Sequence, residues 1–203
     1  HEHTDHIQGA GVLSRRYNLP IYINRRTQRA ASSLLGNIHD FRNFECGSSF
    51  MIKDLAVHPF SVSHDAEDPA GFTVYQNGTK IGIATDLGIA TSMVKEHLKG
   101  CSLLILEANH DAAMLTNGPY PWYLKQRIKG RTGHLSNEAS KNILSEVQHD
   151  RLEHVTLAHL SEINNTPQKA LSEVGQAMNH CNAQLDVAAQ DECGPLLRLK
   201  VIL

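Results

Sequence analysis

Four metal-capable side chains stand within the first six residues, in the order His1-x-His3-x-Asp5-His6. His1 and His3 sit two apart, so on an extended segment their imidazoles point the same way. Asp5 and His6 follow where the chain turns into a helix and can aim at a neighbouring point, an arrangement that suits two adjacent metal ions. Farther along, isolated candidates end strand-like segments: His64 in Ser-Val-Ser-His-Asp, Asp86 in Ile-Ala-Thr-Asp-Leu-Gly and His159 in Leu-Ala-His-Leu-Ser. Loops at strand ends are where a rigid α/β scaffold presents functional groups. A lone His-x-His is ordinarily a surface or core pair, whereas the full cluster followed by His, Asp and His is a specific signal. Imidazole and carboxylate donors suit Zn²⁺, and also Mn²⁺ or iron. Of the 13 histidines, His39, His58, His97, His149, His154 and His180 lack motif context and read as structural or solvent-facing. His110, beside Glu107 in Glu-Ala-Asn-His, is left open.

The elements that must position these residues alternate between helix and strand. Helices are expected over Ile7–Tyr17, over Thr27–Leu35 with Gly36 as its stop, over Asn137–Val147 and over Pro167–Met178. Strands are expected over Leu19–Asn24, Ser102–Leu106, Val155–Ala158 and Leu196–Leu203. The clearest feature is a hairpin, Phe72–Gln76 and Thr79–Thr85 around an Asn77-Gly78 turn. The pattern gives an α/β class and one domain over residues 1–203. No run of 18 apolar residues suggests a membrane span, and the N-terminus is unlike a signal peptide. Four cysteines without a CxxC pair fit a reducing cytoplasm. A formal charge of −2 argues against coating nucleic acid by bulk charge but leaves room for a local basic patch.

The His-x-His-x-Asp-His cluster with the later His, Asp and His resembles the metallo-β-lactamase-like superfamily, over essentially the whole chain. The resemblance implies an αββα sandwich in which His1, His3 and His64 hold one divalent ion. Asp5, His6 and His159 would hold the second, with Asp86 bridging. Members place several strands before this cluster, so the domain is expected to lack its N-terminal strands. Asp86, where class B lactamases commonly carry cysteine, the lack of room for a glyoxalase II helical domain, and the missing flavodoxin module of flavodiiron proteins turn the reading elsewhere. Leu-Ile-Leu-Glu107-Ala, Gly133-His134-Leu-Ser136-Asn137 and Ala158-His159-Leu-Ser161 resemble the C-terminal half of tRNase Z. With Ser63-His64-Asp65-Ala66 and Thr85-Asp86-Leu-Gly88 they most resemble the YycJ/WalJ-type branch, taken to be 5′-to-3′ DNA exonucleases. No insertion resembles the tRNA-gripping arm of tRNase Z.

Phosphate chemistry also has support in the residues. A helix beginning at Ser136 or Asn137 offers free N–H groups to an anion. His134, just before it, would donate to a phosphate oxygen or protonate the leaving oxygen, with Glu107 as its supporting carboxylate. Lys125, Arg127, Lys129 and Arg131 alternate, and on an extended loop would form one basic track; a solvated charge run is the plainer alternative. Tyr120 and Trp122 could stack on bases or simply pack. Two ions would lower the pKa of a shared water and clamp attacking and leaving oxygens, with Asp5 also orienting the hydroxide. The expected substrate-binding set is Ser136, Asn137, Ser161 and Arg131; the catalytic set is Asp5, His134 and Glu107. The expected partner is nucleic acid, DNA before RNA, with no membrane and an open oligomeric state compatible with a dimer. Hydrolysis of small esters, thioesters or cyclic phosphodiesters, tRNase Z-like endoribonuclease activity, and a non-catalytic metal-binding role are the alternatives.

Overall fold

The computed structural model describes residues 1–179 and 181–200. In chain order the elements are α1 (Thr4–Ile7), α2 (Ala10–Tyr17), β1 (Ile21–Ile23), α3 (Arg25–Ala30), α4 (Ser32–Leu35), β2 (Phe41–Asn43), β3 (Phe50–Ile52), β4 (Leu55–Ser61), β5 (Ala70–Gln76) and β6 (Thr79–Ala84). They continue with α5 (Ser92–Leu98), β7 (Leu103–Glu107), α6 (Ala112–Asn117), α7 (Trp122–Lys129), α8 (Asn137–Val147), β8 (His154–Ala158), α9 (Pro167–Val174) and β9 (Gln184–Val187). Seven strands form one sheet in sequential order from β3 to β9, antiparallel through β6 and parallel from β6 to β9. The short β1 and β2 pair in parallel apart from it. The result is a large mixed sheet flanked by helices, as the α/β reading expects.

Direction follows from the pairing. Two antiparallel steps separate β4 from β6, so β4, β6, β7 and β8 all run the same way. Their C-terminal ends share one edge, where open α/β sheets bind ligands. The main core lies beneath that edge. Leu104, Leu106, Val155 and Leu157 from β7 and β8 meet Val94 and Leu98 of α5, Ile143, Leu144 and Val147 of α8, and Val174 of α9. β7 carries apolar residues on both faces, as strands buried in a parallel sheet do, whereas β8 alternates, with Val155 and Leu157 in the core and His154 and Thr156 on the half-buried face. A second, smaller core of Ile7, Ile23, Ala31 and Leu35 holds the N-terminal helices to β1.

Several expectations change. The helix expected over Ile7–Tyr17 is two, broken at the Gln8-Gly9 step, where a side chain on Gly9 would meet open space. The Thr27–Leu35 helix starts earlier, capped by the Asn24 side chain, and breaks at Ala31. The strand expected at the C-terminus is absent over 196–200, where Leu196 is fully exposed; residues 201–203 lie outside the described residues, as does His180. The place beside β8 is taken by β9, which leaves no partner there for a later segment. The basic run is helical: Lys125, Arg127 and Lys129 lie on α7, an uninterrupted stretch of good helix formers after Pro121. Lys125 and Lys129, four apart, share one face, while Arg127 points away from it. Lys125 and Lys129 donate to Thr116 and Arg127 pairs with Asp65, so the expected extended track does not exist.

Candidate metal centre

Each chemical residue sits where an element ends. His64 follows β4, Asp86 follows β6, Glu107 closes β7 and His159 follows β8. Asp86 and His159 both adopt left-handed backbone, each at φ 59°. Non-glycine residues rarely accept that conformation, and it lets the chain turn sharply at the sheet edge. The His159 carbonyl is held by the Asn109 amide at 2.9 Å, a support that the sequence did not signal. Two glycines close the loop above. A Cβ on Gly88 would collide with the Gly130 carbonyl, and one on Gly133 with the Ile128 and Arg127 carbonyls. The segment from α7 to His134 therefore packs against the Asp86 loop at backbone distance.

The N-terminal segment closes over this edge. His1 and His3 have ring centroids 4.5 Å apart, and His1 stands 4.8 Å from His64 and 4.1 Å from His6. Donor atoms of His1, His3 and His64 all lie within 4.8 Å of one another, as do those of Asp5, His6, Asp86 and His159. A third such group joins Asp86, Glu107, His134 and His159. The seven residues expected from sequence to be metal donors thus converge in two adjoining clusters, with Asp86 Oδ1 3.7 Å from His64 Nε2 and 3.5 Å from His159 Nε2. His110 belongs to none of these clusters; it is buried, with its pKa lowered to about 4 by that burial, and so is neutral.

Glu107 organises one side. It is wholly buried, and both oxygens are used: Oε1 accepts from His134 Nδ1 at 2.7 Å and His159 Nδ1 at 2.9 Å. Oε2 accepts the backbone N–H groups of Leu87 and Leu135, each at 3.1 Å. Burial alone would raise this carboxyl, but the His134 and His159 hydrogen bonds hold it below its ordinary value, so it is ionised. Sequence reasoning found the His134 contact and missed the one to His159.

These bonds fix tautomers. With the His159 proton on Nδ1, Nε2 turns a lone pair toward Asp5 Oδ2 at 3.4 Å and Asp86 Oδ1. His64 Nδ1 points at the Gly133 carbonyl at 3.1 Å, so its Nε2 turns a lone pair toward His3 Nδ1 at 3.3 Å. Within the two donor clusters, two further buried atoms lack any hydrogen bond: His1 Nε2, and Asp86 Oδ2, which faces His6 Nε2 at 3.0 Å outside hydrogen-bond geometry. Converging lone pairs without donors repel, and only protons or cations between them relieve the repulsion. Protons do so in the metal-free protein. Burial lowers the His159 pKa, but Glu107, Asp86 and Asp5 together raise it to about 9. Burial would likewise raise Asp86, yet His6 and His159 hold it well below the carboxylate range. The donor set fits divalent cations.

The expected substrate residues divide. Ser161 borders the site and accepts the Asn164 N–H. Arg131 is exposed, and its carbonyl accepts the Ser63 hydroxyl. Ser136 caps α8 through Ala139 N–H, and the Asn137 N–H donates to the His110 carbonyl. Asn137 is buried in a reciprocal amide pair with Asn165, so it does not face the cleft, and the Asn137 and Ala139 N–H groups at this helix start are engaged. The α8 start is built as framework. A cavity of about 390 Å³ opens beside His134, lined by Asp65, Tyr120, Leu124, Arg127 and Ser161 among others. Trp122, expected near a base, is 72% exposed and does not line it.

A seven-stranded mixed sheet with a His/Asp cluster on the C-terminal edge defines a metallohydrolase, and residues 1–159 match the β-lactamase superfamily domain, so the chain belongs to that superfamily. Its relatives narrow this. It is 39% identical over 180 residues to "Exodeoxyribonuclease YycJ" of Bacillus anthracis, covering 88% of this chain and 68% of that protein. It is 35% identical over 174 residues to "Exodeoxyribonuclease WalJ" of Streptococcus pneumoniae serotype 2 (strain D39 / NCTC 7466), covering 84% and 65%. The chain thus spans about two thirds of the length of these relatives. The metallo-β-lactamase fold protein YhfI from Bacillus subtilis shares the fold at TM-score 0.69 and 17% identity, over 93% of this chain and 72% of that one. The superfamily's fold implies divalent metal ions. No helix among the described residues is long and apolar enough to cross a membrane.

Proposed function

We propose that the chain carries the metal site of a dinuclear exodeoxyribonuclease that shortens DNA from its 5′ ends. In this reading His1, His3 and His64 hold one ion, Asp5, His6 and His159 the other, and Asp86 serves both. Zn²⁺ or Mn²⁺ suits these donors, as does iron. When bound, such ions supply a nucleophile at neutral pH and neutralise charge on the phosphate.

The observation that carries the reading is the Glu107 clamp. One buried carboxylate orients His159, a proposed ligand, and His134, which stands outside the ligand set and lines the neighbouring cavity. With Nδ1 committed to Glu107, His134 has Nε2 left to bond a phosphate oxygen or to protonate the departing oxygen. The relatives' names add the substrate class: both are exodeoxyribonucleases.

The test uses the intact polypeptide with Mn²⁺ or Zn²⁺ on end-labelled duplex DNA, single-stranded DNA and a structured RNA, beside a His159→Ala control. Stepwise shortening from 5′ ends that disappears in the control is the expected result. Cleavage of a chromogenic phosphodiester without any cleavage of nucleic acid would leave a hydrolase and remove the nuclease.

A further inference from the structure

Charge is distributed very unevenly along this chain. Residues 7 to 44 contain six arginines, no lysine and one acid, a net of +5, while the whole protein is at −2. Three of these arginines are engaged: Arg15 with the Leu35 carbonyl at 2.8 Å, Arg42 with Asp40 and Tyr22, and Arg16 over the Tyr17 ring. Arg25, Arg26 and Arg29, all exposed on α3, have no acidic partner or acceptor among the described residues. Arg25 and Arg29 lie four apart, hence on one helix face, where like charges repel unless something anionic sits between them.

Both line a cavity of about 380 Å³ with Gln28, Ser32 and Asn43, and no acid is among its lining residues. Asn43 donates its amide to Gln28 Oε1, which leaves the Gln28 amide nitrogen and the Ser32 hydroxyl as further donors. Arg25 and Asn43 also border a second cavity, of about 260 Å³, that continues past Ser48 and Ser49 and carries Glu45 at one side. The two cavities make one groove. The opposite, buried side of α3 faces the metal centre: Ile23, Asn24 and Thr27 line a separate cavity with His1 and His6, so one short helix stands between the arginines and the metal donors. Rows of guanidinium, amide and hydroxyl donors match a chain of phosphodiesters, which arginine grips in a bidentate manner.

We propose that the Arg25–Arg29 groove is a phosphate-backbone site that holds a stretch of the DNA substrate one helix away from the metal centre. The inference rests on the nuclease reading and adds where the strand lies: along the N-terminal arginines, instead of the α7 charges, which are tied to Thr116 and Asp65.

The experiment compares the metal-loaded chain with Arg25→Gln/Arg29→Gln, Arg25→Lys/Arg29→Lys and a control, Arg151→Gln/Arg198→Gln, which removes two exposed positive charges elsewhere. Anisotropy of a fluorescent oligodeoxynucleotide gives Kd across salt, and a chromogenic phosphodiester reports the metal centre. The glutamine pair should weaken DNA binding roughly tenfold and lower the slope of log K against log salt by about 1.4 to 1.8. Small-diester turnover and melting temperature should not move, and the lysine pair should recover part of the binding. Equal loss in the control would reduce the effect to bulk charge and overturn the proposal. Unchanged binding in the glutamine pair, with DNA still cut, would overturn the groove and spare the nuclease. If the unmutated chain turns over the small diester but neither binds nor cuts DNA, both readings fall together.

Discussion

The residues of the metal centre come from two regions built differently. Asp86, Glu107 and His159 stand at the ends of neighbouring parallel strands over the main core, where the Asp86 and Glu107 side chains are 3% and 0% exposed. Asp5 and His6 stand on the four-residue α1, with side chains 59% and 30% exposed, anchored through Ile7 to the small second core. One half is held by hydrogen bonds fixed in the sheet register. The other is held by a short segment whose imidazoles mostly touch one another. The difference separates a preorganised half from one whose order depends on what it binds.

Glu107→Ala should give the largest effect. It strips four donors of their acceptor inside the core and should cost about 3 to 5 kcal/mol, read by denaturant unfolding. Stability within 1 kcal/mol of the parent would break the contrast between the halves. His134→Ala should keep its metal, measured by elemental analysis, while turnover falls roughly 10²- to 10⁴-fold; loss of metal would move His134 into the ligand set. Removing metal with a chelator should deprotect residues 1 to 8 against hydrogen exchange while β7 and β8 stay protected. Equal loss in both would mean that the halves order together.

A pH series sharpens the same point. The folded pKa of His159 is raised to about 9 against an ordinary 6.5, so in the metal-free protein its contribution to stability is complete below pH 6.5 and is lost as pH rises through 9. A metal must displace that proton, so apparent affinity should climb up to tenfold per pH unit until about pH 9. A flat profile would show that His159 is not a ligand. Least of all, Lys125→Ala with Lys129→Ala should change stability by less than about 0.5 kcal/mol and leave DNA binding intact, since both lysines are spent on Thr116.

What could be read from sequence follows from how local each signal is. The α8 helix is legible to the residue because Ser136 caps it and its apolar face repeats through Ile143, Leu144 and Val147. The β5–β6 hairpin is announced by Asn77-Gly78. β4 goes unread because His58 and Pro59 interrupt its pattern, although Pro59 lies in register opposite Phe72. In the site, the clustered histidines and strand-end residues are visible as motifs. The second half of the Glu107 clamp is not, since it exists only because β7 and β8 are neighbours with Glu107 opposite Ala158. The arginines of α3 escape notice for the opposite reason: in sequence they are ordinary surface charges, and only their missing partners mark them.

The left-handed backbone at Asp86 and His159 has an evolutionary corollary. Glycine would adopt φ 59° freely, whereas these side chains hold it against a preference of roughly 1 kcal/mol or more. A glycine at either position would relax the turn, but at His159 it would also take from the buried Glu107 carboxylate one of its partners, a larger loss than the strain recovered. Breeding this protein for heat resistance alone would therefore spare both residues, because the fold leans on them before any chemistry is asked of it.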